Sequence, residues 1–271
     1  MFEVYDNKFR YGCAYCCVLV GLNATNESTS QRFLTLEEIG IDKVFVINLD
    51  IRKDRLAHVS KLLDYLQIPF TRFPAIDGKK FLQQLNRFDP RTKYIQNISN
   101  ISSISGQIAA WQSHLQVYFK IISEVSPNDR PVLIFEDDID LEADAPFLLK
   151  EALHSLPNDW EIFLLGHSEM WCKHVYSNNI CRADTFFCAF AYVVRNSTVV
   201  EKLINWSNTK NSQVADVFWR GHISGGSLIA YAAHPQHIVI QDRAKFGTNI
   251  PESGPINPER LRNPLSKLLR A

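Results

Sequence analysis

The chain has 271 residues, and its 29 basic and 29 acidic side chains balance to a formal net charge of zero. That length suffices for one large domain or two small ones, and the neutral balance offers no whole-molecule field to draw nucleic acid, so any basic site must be local. Hydrophobic residues at 46% and charged ones at 21% are the proportions of an ordinary soluble globular chain.

Residues 1–40 read as an extension. After Lys8 and Arg10 comes an apolar run, 11–22, too short to cross a bilayer but of the length of a signal-sequence core. A signal anchor, a buried first strand and an unstructured leader all suit it, and the first would give the N-terminus a weak hold on a membrane. Cys13 and Cys16 have no second pair at matching spacing, so they do not define a zinc site. The polar stretch 23–31 follows as a linker.

Order begins sharply after it. Residues 43–49 form a short apolar strand, and 52–66 carry Leu56, Val59, Leu62, Leu63 and Leu66 on one helical face. Residues 69–75 read as a second strand, ended by an Asp77-Gly78 turn in which glycine supplies a positive φ. Strand, helix, strand is the opening of a parallel α/β sheet. The polar repeat at 97–105 reads as a loop. It leads into a helix at 107–123, capped by Ser105, with Ile108, Trp111, Leu115, Tyr118 and Ile122 at helical spacing. A buried strand at 132–135, a helix at 145–155 and strands at 161–165 and 186–194 follow, then a helix at 197–206. From Pro251 a polar tail is expected to run over the surface.

The stretch Phe135-Glu136-Asp137-Asp138 carries the most chemistry. It puts three carboxylates at the carboxyl end of a buried strand, where open α/β sheets bind ligands. Carboxylates this close repel unless something positive lies among them. Mn²⁺ and Mg²⁺ take oxygen ligands and share them with a diphosphate; a solvated acidic turn is the plainer alternative. Upstream, Arg52, Lys53 and Arg55 crowd the first turn of a helix, where each exposed cation is disfavoured by roughly a few tenths of a kcal/mol. Asp50 and Asp54 offset part of this, and an anion bound at the helix start would offset the rest. His114, beside an apolar stripe, reads as structural.

Two features concern the compartment. Cys172 and Cys181 are close enough in sequence to close a short loop as a disulfide in an oxidising environment. Asn23, Asn26, Asn97, Asn100, Asn196 and Asn205 each begin Asn-x-Ser/Thr, against a chance expectation of about two. The sequons favour the secretory pathway, the ER or Golgi lumen, over the cytoplasm.

The order VFVINLDIRKDR, FTRFPAIDG, SGQIAAWQSHL, VLIFEDDI, DWEIFLLG resembles glycosyltransferase family 25, the lipopolysaccharide-type and procollagen galactosyltransferases. TFFCAFAYVV, the Val214–Asp216 triplet and HPQHIVIQ match more weakly. The resemblance implies a glycosyltransferase domain at 41–250, between an extension at 1–40 and a tail at 251–271. It also implies an α/β fold, a GT-A type nucleotide-binding sandwich with a mostly parallel central sheet flanked by helices. The implied activity is metal-dependent, inverting transfer of a hexose, galactose first, from a UDP-sugar to a hydroxyl of a glycan or protein acceptor.

The resemblance further implies that Glu136, Asp137 and Asp138 hold Mn²⁺ or Mg²⁺, with Asp138 the direct ligand. Asn48, Arg52, Arg55, Asp77 and Gly78 would lie by the nucleotide. Asp216 would serve as the base that takes the acceptor proton, ahead of His114, His167 and His234. Two departures stand out: Gln107 occupies a position where the family commonly has Glu, and Ala109-Ala110 replace a Gly-Cys pair. They keep a rival reading in view, a non-catalytic sugar-nucleotide or glycan-binding relative. A metal-dependent phosphoesterase would need further His or Asp ligands at recognisable spacing, and the sequence offers none.

Overall fold

The central strands of this chain are apolar on consecutive residues, not on alternate ones, which calls for cover on both faces of a sheet. The computed structural model describes residues 33–85, 101–124, 129–168, 170–177, 179–186, 188–207, 215–247 and 261–270. In chain order these give α1 (Leu36–Ile39), β1 (Lys43–Asn48), α2 (Lys53–Tyr65), β2 (Thr71–Pro74), α3 (Gly78–Leu85), α4 (Ile101–Ser123), β3 (Val132–Glu136) and β4 (Ile139–Leu141). Next come α5 (Ala145–Ser155), β5 (Ile162–Leu164), β6 (Met170–Ser177), β7 (Ile180–Phe186), β8 (Ala191–Val194) and α6 (Ser197–Ser207). The last are α7 (Ala215–Ser224), β9 (Ala230–Ala233), β10 (Val239–Gln241), α8 (Arg243–Phe246) and α9 (Leu265–Leu268).

Eight strands form one sheet in the order β2-β1-β3-β8-β5-β9-β7-β6, and β4 pairs with β10 in a two-stranded ribbon. Pairings β1–β2, β1–β3 and β5–β9 are parallel, and β8 runs against both its neighbours. The fold is α/β, with most strands of the central sheet pointing one way. Alternation within each strand feeds two cores. Val44, Val46, Leu133, Phe135 and Val193 face one side, with Val59, Leu62 and Leu63 of α2 and Leu149 of α5. Phe45, Ile47, Ile134, Tyr192 and Val194 face the other, with Trp111 and Tyr118 of α4, Leu203 of α6 and Trp219 of α7.

Several boundaries differ from expectation for physical reasons. The helix expected from residue 107 begins at Ile101, so Ser105 lies buried within it and is not its cap. Gly78 does not have a positive φ; a Cβ there would sit 3.0 Å from the Gly106 N and the Ser105 carbonyl, so glycine lets α4 approach. The strand expected at 186–194 is broken, because Cys188 sits at φ 63 in the left-handed region, which no strand uses. Order reaches back to Phe33, where the compact unit begins, since Leu34 and Ile39 join the core. The expectation of a surface tail fails for 261–270. Leu265 is fully buried and Glu142 bridges to Pro264. The Cys13–Cys16 pair, the run 11–22 and the sequons at Asn23, Asn26, Asn97 and Asn100 lie outside the described residues.

Candidate functional site

Parallel pairing brings the sequence-distant motifs to one edge. Ile47 registers with Glu136 and Asn48 with Pro74, so the carboxyl ends of β1, β2 and β3 open side by side. Asn48, only 1% exposed, is the hub. Its Nδ2 donates to the Asp137 carboxylate (2.6 Å) and the Arg52 carbonyl (3.0 Å), while its Oδ1 accepts from Arg72 Nε (3.0 Å). Arg55 Nη1 stands 3.0 Å from both Asp137 and Asp138, and its Nη2 donates to the Gly247 carbonyl (3.0 Å). Gln241, where β10 meets β4, donates to Asp138 (3.0 Å) and Glu136 (3.3 Å). The His114 ring lies 3.4 Å from Glu136 through Nε2 and 2.8 Å from the Tyr192 hydroxyl through Nδ1, and Tyr192 meets Tyr118 at 2.9 Å.

The charges do not balance. Three carboxylates converge, and among the described residues Arg55 is the buried guanidinium that pairs with two of them. Burial first, then the Glu136 charge, push the Asp138 carboxyl up to about 7, although Arg55 and Gln241 pull it down. Burial also raises Asp137, against hydrogen bonds from Asn48 and Arg55. Two carboxyls raised chiefly by burial, with a third carboxylate beside them, ionise more readily when a further cation joins the group. Oxygen donors in that group suit a hard divalent cation, so the residues present fit the expected ion.

The predicted residues divide into two kinds. Asn48, Arg55, Asp137 and Asp138 meet directly, and Glu136 joins them through Gln241. Arg52 ends the turn before α2, and its guanidinium grips Asp54 (2.9 and 2.8 Å) and the Phe246 carbonyl (3.2 Å). Arg52 and Arg55 at this helix start are therefore offset by carboxylates of the protein itself. Asp77 accepts from the Lys79 amide (2.8 Å) and starts α3, and Ser113 holds the same turn by accepting from the Ile76 amide (2.9 Å). His114 is 2% exposed and partnered, a support beneath Glu136. His167 and His234 are elsewhere, beyond β5 and β9. Asp216 lies in the first turn of α7, and its side chain lies outside the described residues. Gln107 lies on α4.

Gln241 was not assigned from sequence. Its signal was present, a polar residue closing the apolar run of HPQHIVIQ, but nothing local said that β10 would pair with β4. The Phe246 and Gly247 carbonyls left no side-chain signal at all.

The model of glycosyltransferase family 25 (LPS biosynthesis protein) matches residues 41–217. The chain belongs to that family. Human procollagen galactosyltransferase 2 is 26% identical over 170 residues, which are 58% of this chain and 26% of the relative. Xenopus laevis procollagen galactosyltransferase 1-A is 28% identical over 223 residues, 73% of this chain and 36% of the relative. The chain thus spans about a quarter to a third of the length of these relatives. Among solved structures, a mutant Drosophila β-1,4-galactosyltransferase 7 in complex with manganese, UDP-Gal and xylobiose overlaps 81% of this chain and 78% of its own, with TM-score 0.34 and 11% identity.

Proposed function

We propose that this chain is a metal-dependent, inverting hexosyltransferase of GT-A type that moves galactose from UDP-galactose to a hydroxyl of a glycan or protein acceptor. The observation that carries the reading is the gathering of half-buried Glu136 with buried Asp137 and Asp138, of which only the latter two pair with Arg55 among the described residues. Family membership and the relatives' names support the sugar and the reaction class.

In this reading Asp138 and Glu136 hold Mn²⁺, or Mg²⁺ in its place, and Asp137 is the anchor through which Asn48 and Arg55 fix the turn. The ion, when bound, supplies Lewis-acid stabilisation for the negative charge that grows on the departing diphosphate. Arg52 and the Asp77-Gly78 turn border the nucleotide. Asp216 takes the proton of the acceptor hydroxyl on the opposite face of the sugar. The Cys172–Cys181 disulfide, with Cα atoms 5.8 Å apart across the β6–β7 hairpin, supports an oxidising compartment such as the ER or Golgi lumen.

UDP release from UDP-galactose and UDP-glucose, measured with Mn²⁺ and with chelator, tests the proposal. Metal-dependent release that Asp138→Ala abolishes is the expected result. UDP-sugar binding without release from any donor, with or without acceptors, would instead make the chain a non-catalytic relative, the reading that Gln107 favours. In that case Gln107→Glu should restore turnover.

A further inference from the structure

We propose that His167, His234 and His237 form a binding site for a transition-metal dication of the zinc class, separate from the acidic edge. The site neither uses nor depends on the transferase reading. Backbone geometry brings the three together. Strands β5 and β9 are parallel neighbours with Leu164 opposite Ala232, so the segments leaving their carboxyl ends emerge side by side. His167 lies on one, and His234 and His237 on the other. The Ile238 and Val239 amides both donate to the Leu165 carbonyl (2.9 and 3.2 Å), clamping the two segments. At Gly166 a Cβ would fall 1.9 Å from the Val239 carbonyl oxygen, so only glycine permits this approach.

The resulting donor set is specific in chemistry. One ligand atom from each ring lies within 4.8 Å of the others. The Nε2 atoms of His167 and His237 are 3.1 Å apart. Zinc–nitrogen bonds of about 2.0–2.1 Å in a tetrahedron put neighbouring ligand atoms roughly 3.3 Å apart. His167 and His237 are 2% and 3% exposed. The buried Nδ1 atoms of His167 and His234 have no hydrogen-bond partner, an arrangement that packing alone leaves uncompensated. Burial, and the other imidazoles after it, hold the His167 ring down to about 3. Neutral imidazoles are the form that binds metal. Three nitrogens without a carboxylate select zinc, copper, nickel or cobalt over magnesium, manganese or calcium, which prefer oxygen. Three protein ligands leave a fourth position for water or another donor.

Cobalt is the probe, because tetrahedral Co²⁺ absorbs in the visible. Full-length protein carrying Asp138→Asn, stripped with chelator, is titrated with Co²⁺ and then with Zn²⁺. The expected result is one equivalent of Co²⁺ with a tetrahedral spectrum, displaced by Zn²⁺ and not by excess Mg²⁺. His234→Ala and His237→Gln should each weaken binding at least about 100-fold, since loss of a supporting partner alone weakens sites by about 10–100-fold. His234 is the least buried of the three, so His234→Ala tests the site with the fold intact, as thermal unfolding in chelator would verify. Absence of stoichiometric Co²⁺ binding, or binding that both variants leave unchanged, overturns the proposal.

Discussion

At the carboxyl ends of β1 and β3, three carboxylates gather and two of them share one guanidinium; at the ends of β5 and β9, three imidazoles meet with no carboxylate in the group. The same sheet edge thus carries two buried polar clusters, and they face opposite difficulties. In the acidic cluster Asn48 and Arg55 both donate to Asp137, yet charge is left over. The histidine cluster carries no net charge while its rings are neutral, but leaves ring nitrogens of His167 and His234 unpartnered. One is a site that lacks positive charge, and the other a site that lacks an acceptor of lone pairs. A hard cation answers the first and a softer one the second.

The comparison breaks most sharply at Arg55. Replacing it by Met should destabilise the metal-free protein by about 3–5 kcal/mol, because two buried carboxylates lose their shared partner. Added Mn²⁺ should then raise the unfolding temperature more in Arg55→Met than in the parent. If Mn²⁺ raises both equally, the excess-charge account of this end fails. Asp138→Asn works in the other direction. It should leave the fold as stable or more so at neutral pH, while slowing UDP release by about 10²–10³-fold, the scale of losing one electrostatic contact to a transition state. Thermal melts and UDP release on the same preparation separate the two effects.

Two glycines compare the ends at the level of backbone. Gly166→Ala at the histidine end places a Cβ 1.9 Å from a carbonyl oxygen, and Gly78→Ala at the acidic end places one 3.0 Å from backbone atoms. Overpacking typically costs about 1–3 kcal/mol. Gly166→Ala should exceed that range and Gly78→Ala should fall inside it, by denaturant melts. A ranking in the reverse order would show that the β5–β10 clamp is looser than its hydrogen bonds indicate.

What could be read beforehand follows from how local each signal was. The strand ending in Glu136 and the helix bearing Arg55 were legible because apolar period and charge sit within a few residues. Their meeting followed from the strand–helix–strand pattern, which makes neighbouring parallel strands open at one edge. Gln241, Arg72 and the Phe246 carbonyl joined the cluster through contacts that span 24 to 194 residues. No local pattern encodes such contacts. The histidines were legible only as weak base candidates, His167 and His234, since β5 and β9 are neighbours in the sheet but far apart in sequence. The role of Gly78 was misread for a related reason. Its requirement comes from a helix that passes over it, and not from its own turn.

The smallest effect, and the most diagnostic of the contrast, is in the pH dependence of the metal-free protein. Asp138 has a folded value raised from 3.8 to about 7, so between those limits the folded state holds more protons than the unfolded one. Its contribution is fully present below about pH 4 and is lost as pH rises through about 7. His167 and His237 are lowered from 6.5 to about 3 and about 4, by burial first and then by neighbouring imidazoles. Their contribution is present above about pH 6.5 and is lost as pH falls through about 4. Between pH 4 and 6.5 the two ends therefore oppose each other, two imidazoles against one carboxyl, and on their account the unfolding temperature of the parent should rise with pH by the difference of about one proton. Asp138→Asn should steepen that rise over this window, whereas His237→Gln, which leaves His167 alone against Asp138, should flatten it. Melts in chelator from pH 4 to 7.5 read both slopes. Parallel curves for the two variants would mean that the clusters do not titrate as opposites, and the contrast between them would reduce to geometry alone.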